Sequence, residues 1–475
     1  MNEDVFQTPL RADAHLKGKH SQADRAAERA RRLISEGRFG EGKTLAEQAL
    51  SAEPKHGPAL ETLGAALFHL GDPDAAMAQL DAALAAGYDS PSVRVNRGVL
   101  KSQSGDFDGA AAECERALQH DPYWTEAFHL LAQVRKFKPD DPVIPGLEAA
   151  LARPMANKPR GTLCFAAGKI FADLGDDDRA FALYREGNRR LRTGFDRQHF
   201  QEVTQRLQSL CTRDFFAERR GSGIGSTAPI FVLGMPSSGS TLIERILTRH
   251  PQVGSVGEFA GMQVIANRHL GEVVGGTDGY PDALARMSGT QAASLARGYL
   301  EAAERRIGEL PDRVVDKAPI NYQNVALIAL LFPNARIIHT ARNPMDVGVS
   351  AYFRRFLVGQ DWSYDLADIG FVLRREQALM RHWAQHAPLA LLNVNYESLV
   401  QNPEGVARLL VAFAGLEWDE ACLDAAADTG TRIYNASHYA ARQPINTSSI
   451  GKWKRYDAHL ETLKTALKQD LPPDR

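Results

Sequence analysis

The chain has 475 residues, of which 44% are hydrophobic and 24% charged, and a formal net charge of -2. That length exceeds one compact core and points to two or three domains, while the charge balance excludes nucleic acid or an anionic membrane as a partner held by the overall field. Cys114, Cys164, Cys211 and Cys422 are scattered without a C-x-x-C pair, which excludes a disulfide framework or a zinc site and predicts reduced thiols in a cytoplasmic protein.

Residues 1–20 carry no apolar core, so they read as a flexible tail and not a signal peptide. A repeat then begins. The turns "SEGRF", "HLGDP" and "QSGDF" set Gly37, Gly71 and Gly105 at intervals of 34 residues, and Ala49-Leu50, Ala83-Leu84 and Ala117-Leu118 keep the same register. Ala30, Gly64 and Gly98 form a third column, where small residues let paired helices approach. The spacing predicts helix pairs over 23–56, 57–90 and 91–124, similar to the tetratricopeptide repeat. A further unit, "AAGKIFADLGDDDRAFALYREGNRRL", follows a degenerate, proline-broken stretch at 125–160. An all-α solenoid over 21–210 is expected, with a concave face suited to a peptide or protein.

The texture changes near 226, and a second domain is expected over 226–475. The apolar run "PIFVLG" reads as a strand, followed by the loop "GMPSSGST" and a helix beginning near Thr241. Further strands are predicted at "ARIIHTAR" and "LALLNVNY", each after a helical stretch. Strands alternating with helices imply an α/β domain with a parallel sheet, whose ligands sit at the carboxyl ends of the strands. The loop at 234–241, Arg342 and Tyr396 all fall at such ends. Gly234, Gly239 and Thr241 keep a phosphate-loop pattern, but Ser240 occupies the lysine place. A loop lacking that cation suits a single 5′-phosphate held by backbone N–H groups and hydroxyls better than it suits a triphosphate. Ser238, Gly239, Ser240, Thr241 and Leu242 offer those donors together.

With these motifs the sequence resembles bacterial tetratricopeptide-repeat sulfotransferases related to the protein-tyrosine sulfotransferases, which use 3′-phosphoadenosine 5′-phosphosulfate (PAPS). The resemblance runs over roughly 226–460. It implies a P-loop-like three-layer domain in which Pro236 to Leu242 hold the 5′-phosphosulfate, with Ser237 standing where the family usually has arginine. It further implies that Arg342, Ser350 and Arg354 hold the 3′-phosphate, Ser350 and Arg354 sharing a helix face at i and i+4. Tyr396 would lie near the adenosine, and Ser449 and Lys452 would close over the nucleotide, Lys452 compensating for Ser237. Lys317, in "DKAPIN", would stabilise charge developing on the transferring group, and Glu258, in "SVGEFAG", would be the general base. Among the histidines, His339 reads as a core residue, His250 as a helix-end cap, and His269 lies at no motif position.

The expected activity is transfer of the sulfonate of PAPS to an acceptor hydroxyl, a protein or peptide tyrosine first, leaving adenosine 3′,5′-bisphosphate and requiring no metal. A carbohydrate, lipid or small-molecule acceptor is the alternative, as are a repeat scaffold with a weakened transferase domain and a nucleotide kinase using the same loop.

Overall fold

A computed structural model of the chain describes residues 21–274, 279–356, 359–424 and 445–468. The tail expected over 1–20 lies outside them. The chain divides into two compact units, with the principal boundary between Leu191 and Arg192.

The first unit is all-helical. It runs α1 (Gln22–Ser35), α2 (Phe39–Ala52), α3 (Gly57–His69), α4 (Pro73–Ala85), α5 (Pro91–Ser104), α6 (Phe107–His120), α7 (Thr125–Val134), α8 (Val143–Leu151), α9 (Asn157–Asp173) and α10 (Asp177–Leu191). The three predicted pairs are α1–α2, α3–α4 and α5–α6. Their turns hold Gly37, Gly71 and Gly105 at φ of 77°, 88° and 96°, a left-handed backbone that glycine enters without penalty. Polar side chains cap the starts: Ser21 forms a capping box with Asp24, and Asp72, Ser90 and Asp106 each accept a first-turn N–H. A Cβ on Gly98 would lie 2.9 Å from Leu130 Cδ2 and 3.2 Å from the Ala110 carbonyl, so the small column is set by close approach. The stretch 125–160, irregular in sequence, still supplies α7 and α8. The buried Glu61 accepts from Tyr88 and Ser92 and faces Arg31 at 3.7 Å, linking successive pairs.

The second unit is built on five parallel strands: β1 (Pro229–Gly234), β2 (Val253–Gly257), β3 (Arg313–Asp316), β4 (Arg336–Ala341) and β5 (Ala390–Asn395). Their spatial order is β2-β3-β1-β4-β5. β1, apolar throughout, is buried along its whole length at the centre, as a strand covered on both faces must be. β1, β4 and β5 are the strands expected from the sequence; β2 and β3 are additions. Register pairs Gly257 with Asp316, Gly234 with Thr340 and Ala341 with Asn395, so the carboxyl ends of neighbouring strands finish together. The core beneath joins Ile230, Val232, Ile243, Val315, Ile338 and Leu410, among others. Among the described residues no helix is long and apolar enough to cross a membrane.

Candidate active site

Each strand delivers one part of the site. Reading across the sheet, the carboxyl ends present Glu258 after β2, Lys317 after β3, the loop 235–239 after β1, Arg342 after β4 and Tyr396 after β5. The strand order therefore gathers residues far apart in the chain along one edge, where α/β sheets hold ligands.

The loop is a tight turn entering the helix Ser240–Thr248. Ser238 is only 2% exposed; its hydroxyl donates to the Met235 carbonyl at 2.6 Å and is bonded to Thr340 Oγ1, so that side chain shapes the loop. Ser237 has φ 69°, and its Oγ is buried without a partner. Gly239, at φ 105°, begins the helix with no side-chain cap, and a Cβ there would lie 2.7 Å from Tyr396 Cδ2. A helix start left uncapped by any side chain favours an anion.

Arg342 binds the loop from the next strand. Its Nη1 donates to the Ser237 carbonyl at 2.8 Å, its Nη2 donates to the Ser449 carbonyl at 2.6 Å, and its guanidinium lies 4.5 Å above the Tyr396 ring. Its Nε is buried without a hydrogen-bond partner. The structure thus brings Arg342, Ser237, Tyr396 and Ser449 together. Lys452 is exposed at the start of the 3-10 helix Lys452–His459. The segment that carries it is anchored by Asp346, whose buried carboxylate accepts the N–H groups of Gly451 at 2.7 Å and Trp453 at 3.0 Å.

One expectation is corrected. Ser350 lies in the last turn of the helix Pro344–Tyr352, but Arg354 lies beyond its end, so the two do not share a helix face. The helix stops because the Arg354 N–H turns back to the Ala351 carbonyl at 3.2 Å, while the Phe353 ring packs edge-on against Tyr456. Arg354 also adds positive charge to the surroundings of Glu258.

Lys317 is 1% exposed, and its ammonium donates to Glu258 Oε1 at 2.5 Å. The Glu258 side chain is 43% exposed, so the pair is dry on the lysine side and open on the carboxylate side. Desolvation pushes the Glu258 carboxyl up, but the charge and hydrogen bond of Lys317, helped by Arg354, outweigh it and hold the group below the ordinary carboxylate range. A buried ammonium beside an accessible carboxylate can stabilise developing negative charge and accept a proton at one place. Two carboxylates behind it were not singled out from the sequence. Glu244 Oε2 lies 3.8 Å from Lys317 Nζ, and Asp316, next to Lys317 in the chain, accepts from the Tyr299 hydroxyl at 2.5 Å. Glu244 carried no signal in the sequence, since it shares its helix with Ser240, Thr241, Arg245 and Thr248. For Asp346 the signal was an acid in the first turn after the Asn343 cap.

The histidines are accounted for elsewhere. His339 is bonded to Glu376 and Asn393, and His250 to the Glu417 carbonyl and the Gln252 N–H. His269 is exposed and faces Glu272 at 3.4 Å. Among the described residues no group of three or more His, Cys, Asp or Glu is placed to hold a metal.

Residues 229–420 match the model of the sulfotransferase family, and 33–94 and 70–125 match tetratricopeptide-repeat models. An uncharacterized protein of Aquifex aeolicus is 33% identical over 337 residues, which cover 69% of this chain and 44% of that protein. This chain thus spans less than half the length of that relative. Protein-tyrosine sulfotransferase A of Caenorhabditis elegans is 23% identical over 52% of this chain and 66% of its own length. Protein-tyrosine sulfotransferase 1 of Danio rerio is 24% identical over 47% of this chain and 65% of its own. The chain therefore carries tetratricopeptide repeats followed by a domain of the sulfotransferase family, homologous to the protein-tyrosine sulfotransferases.

Proposed function

We propose that the second unit transfers the sulfonate of PAPS to an acceptor hydroxyl, with a tyrosine of a protein or peptide as the acceptor class. The observation that carries this reading is the Lys317–Glu258 pair, buried on one side and open on the other, one strand away from an uncapped loop-to-helix turn. The unpartnered polar atoms fit an anionic nucleotide: Ser237 Oγ and Arg342 Nε are buried and aimless without one. Pro236 to Leu242 would hold the 5′-phosphosulfate, and Arg342, Ser350 and Arg354 the 3′-phosphate. Tyr396 would take the adenosine, with Ser449 and Lys452 beside it. The nucleotide, when bound, supplies an activated sulfonate and an anionic leaving group.

The chain's own residues do the rest. Glu258 takes the proton of the acceptor hydroxyl, and Lys317 offers its ammonium to negative charge as it develops. The glutamate base and the named relatives support tyrosine over other hydroxyls. The repeat unit, of a class that commonly holds peptides, would present the acceptor or a partner.

The test pairs binding with turnover. Adenosine 3′,5′-bisphosphate at ~100 times its dissociation constant should stabilise the protein by about 2.7 kcal/mol, and 5′-ADP or Mg-ATP at equal concentration much less. Labelled sulfonate should pass from PAPS to a tyrosine peptide, and Glu258→Gln should lower that turnover ~10²-fold or more while leaving the stabilisation intact. Stabilisation without turnover on any acceptor would favour a scaffold. Absence of both would overturn the cofactor class.

A further inference from the structure

Glu244 faces the ammonium of the reactive ion pair and is linked to the carboxylate half through Ser255 and Gly257. It rises from the helix Ser240–Thr248, immediately after the loop, and its side chain is 15% exposed. One oxygen, Oε2, stands 3.8 Å from Lys317 Nζ. The other, Oε1, accepts from Ser255 Oγ at 2.6 Å. The same Ser255 hydroxyl accepts the Gly257 N–H at 2.9 Å, and the Gly257 carbonyl accepts the Lys317 N–H at 3.0 Å. Gly257 precedes Glu258 at the irregularity that ends β2. Glu244, Ser255, Gly257, Glu258 and Lys317 therefore close a ring of contacts, with the ammonium between two carboxylates.

We propose that Glu244 is a positioning residue that shares the Lys317 ammonium with Glu258 and so keeps Glu258 basic enough to take a proton. The reaction it serves rests on the sulfotransferase reading; the sharing is a property of the three side chains alone. A carboxylate held at 2.5 Å by a buried ammonium feels its full field, and that field resists protonation. A second carboxylate close to the same ammonium cancels part of the field. It also leaves Lys317 an anionic partner once Glu258 has been neutralised, when a buried ammonium would otherwise stand unpaired.

Among the described residues, the other charged or titratable groups nearby are Asp316, on the strand leading to Lys317, Tyr299, bonded to Asp316, and Arg354, beyond the helix Pro344–Tyr352. In the step itself the acceptor's proton goes to Glu258 as its oxygen pair forms the O–S bond, and the electron pair of the broken S–O bond leaves on the nucleotide phosphate. Glu244 neither gains nor loses a proton.

The test reads the base directly. In protein labelled with ¹³C at glutamate carboxyls, the Glu258 resonance is identified by its loss in Glu258→Gln and titrated by NMR. Glu244→Gln should lower the Glu258 midpoint by about half a pH unit or more. Glu244→Asp, which keeps the charge but withdraws it by one methylene, should lower it by less, and it decides the matter alone should the Gln variant not fold. An unchanged or raised midpoint overturns the proposal. In turnover, Glu244→Gln should reduce kcat with the KM for PAPS unchanged and move the acid limb of the rate profile to lower pH. Midpoint shifts in a protein that turns over no acceptor would sustain the sharing and sink only the reaction. Turnover without midpoint shifts would do the reverse.

Discussion

Gly239 occupies a backbone position that few residues tolerate. At φ 105° and with Tyr396 Cδ2 2.7 Å from where a Cβ would stand, Gly239→Ala meets both backbone strain and a ring edge. A loss of about 1–3 kcal/mol in urea unfolding is expected, together with loss of stabilisation by adenosine 3′,5′-bisphosphate. Asp316 makes a prediction of opposite character. Burial pushes its carboxyl from 3.8 up to about 7; the Tyr299 bond and Lys317 oppose this, and Glu244 adds to it. A carboxyl whose folded pKa is raised contributes stability in full below its unfolded value and loses it as pH rises through the folded value. Between about pH 4 and 7 the wild type should therefore lose stability that Asp316→Asn does not. Urea melts at pH 5 and pH 8 should show the difference between the two moving in the variant's favour at pH 8. At this scale Arg342 could be placed at a strand end from its apolar run, whereas Lys317 and Glu258 were singled out through the family resemblance of the short runs "DKAPIN" and "SVGEFAG". Glu244 was not, because nothing in "STLIERIL" announces that its carboxylate meets a lysine that arrives from another strand.

Among the elements, those with a local signature were the legible ones. The 34-residue columns placed three helix pairs because turn glycines and small contact residues act within a few positions of themselves. β1, β4 and β5 were visible as apolar runs. β2 and β3 were not: "VGSVG" and "RVVD" are five and four residues long, too short for a period, and become strands by pairing with neighbours already in place. The helix Pro344–Tyr352 ended earlier than its spacing suggested, so Ser350 and Arg354 do not share a helix face. That helix also carries Asp346, the anchor of the 445–456 segment. Asp346→Ala would leave two partly buried N–H groups, those of Gly451 and Trp453, without their acceptor, at a cost of about 1 kcal/mol each. Faster proteolysis between 445 and 460, with a weaker response to the bisphosphate, is the expected result. Unchanged cleavage would show that Arg342 holds Ser449 unaided.

Over the whole molecule, the sequence by itself determined the kinds of parts: helical repeats, expected over 21–210, an α/β domain, expected from 226, and a phosphate loop whose lysine place is a serine. Each follows from composition, short-range spacing or turn chemistry, which act along the chain. Only the tertiary structure decided how the parts meet. The order β2-β3-β1-β4-β5 lines up Glu258, Lys317, the loop, Arg342 and Tyr396 along one sheet edge, and nothing local encodes that order. The same folding buries Lys317 between Glu258 and Glu244, residues 59 and 73 positions away in the chain. Long-range strand pairing and burial select that arrangement, because a buried ammonium is tolerated only where the fold brings it anionic partners.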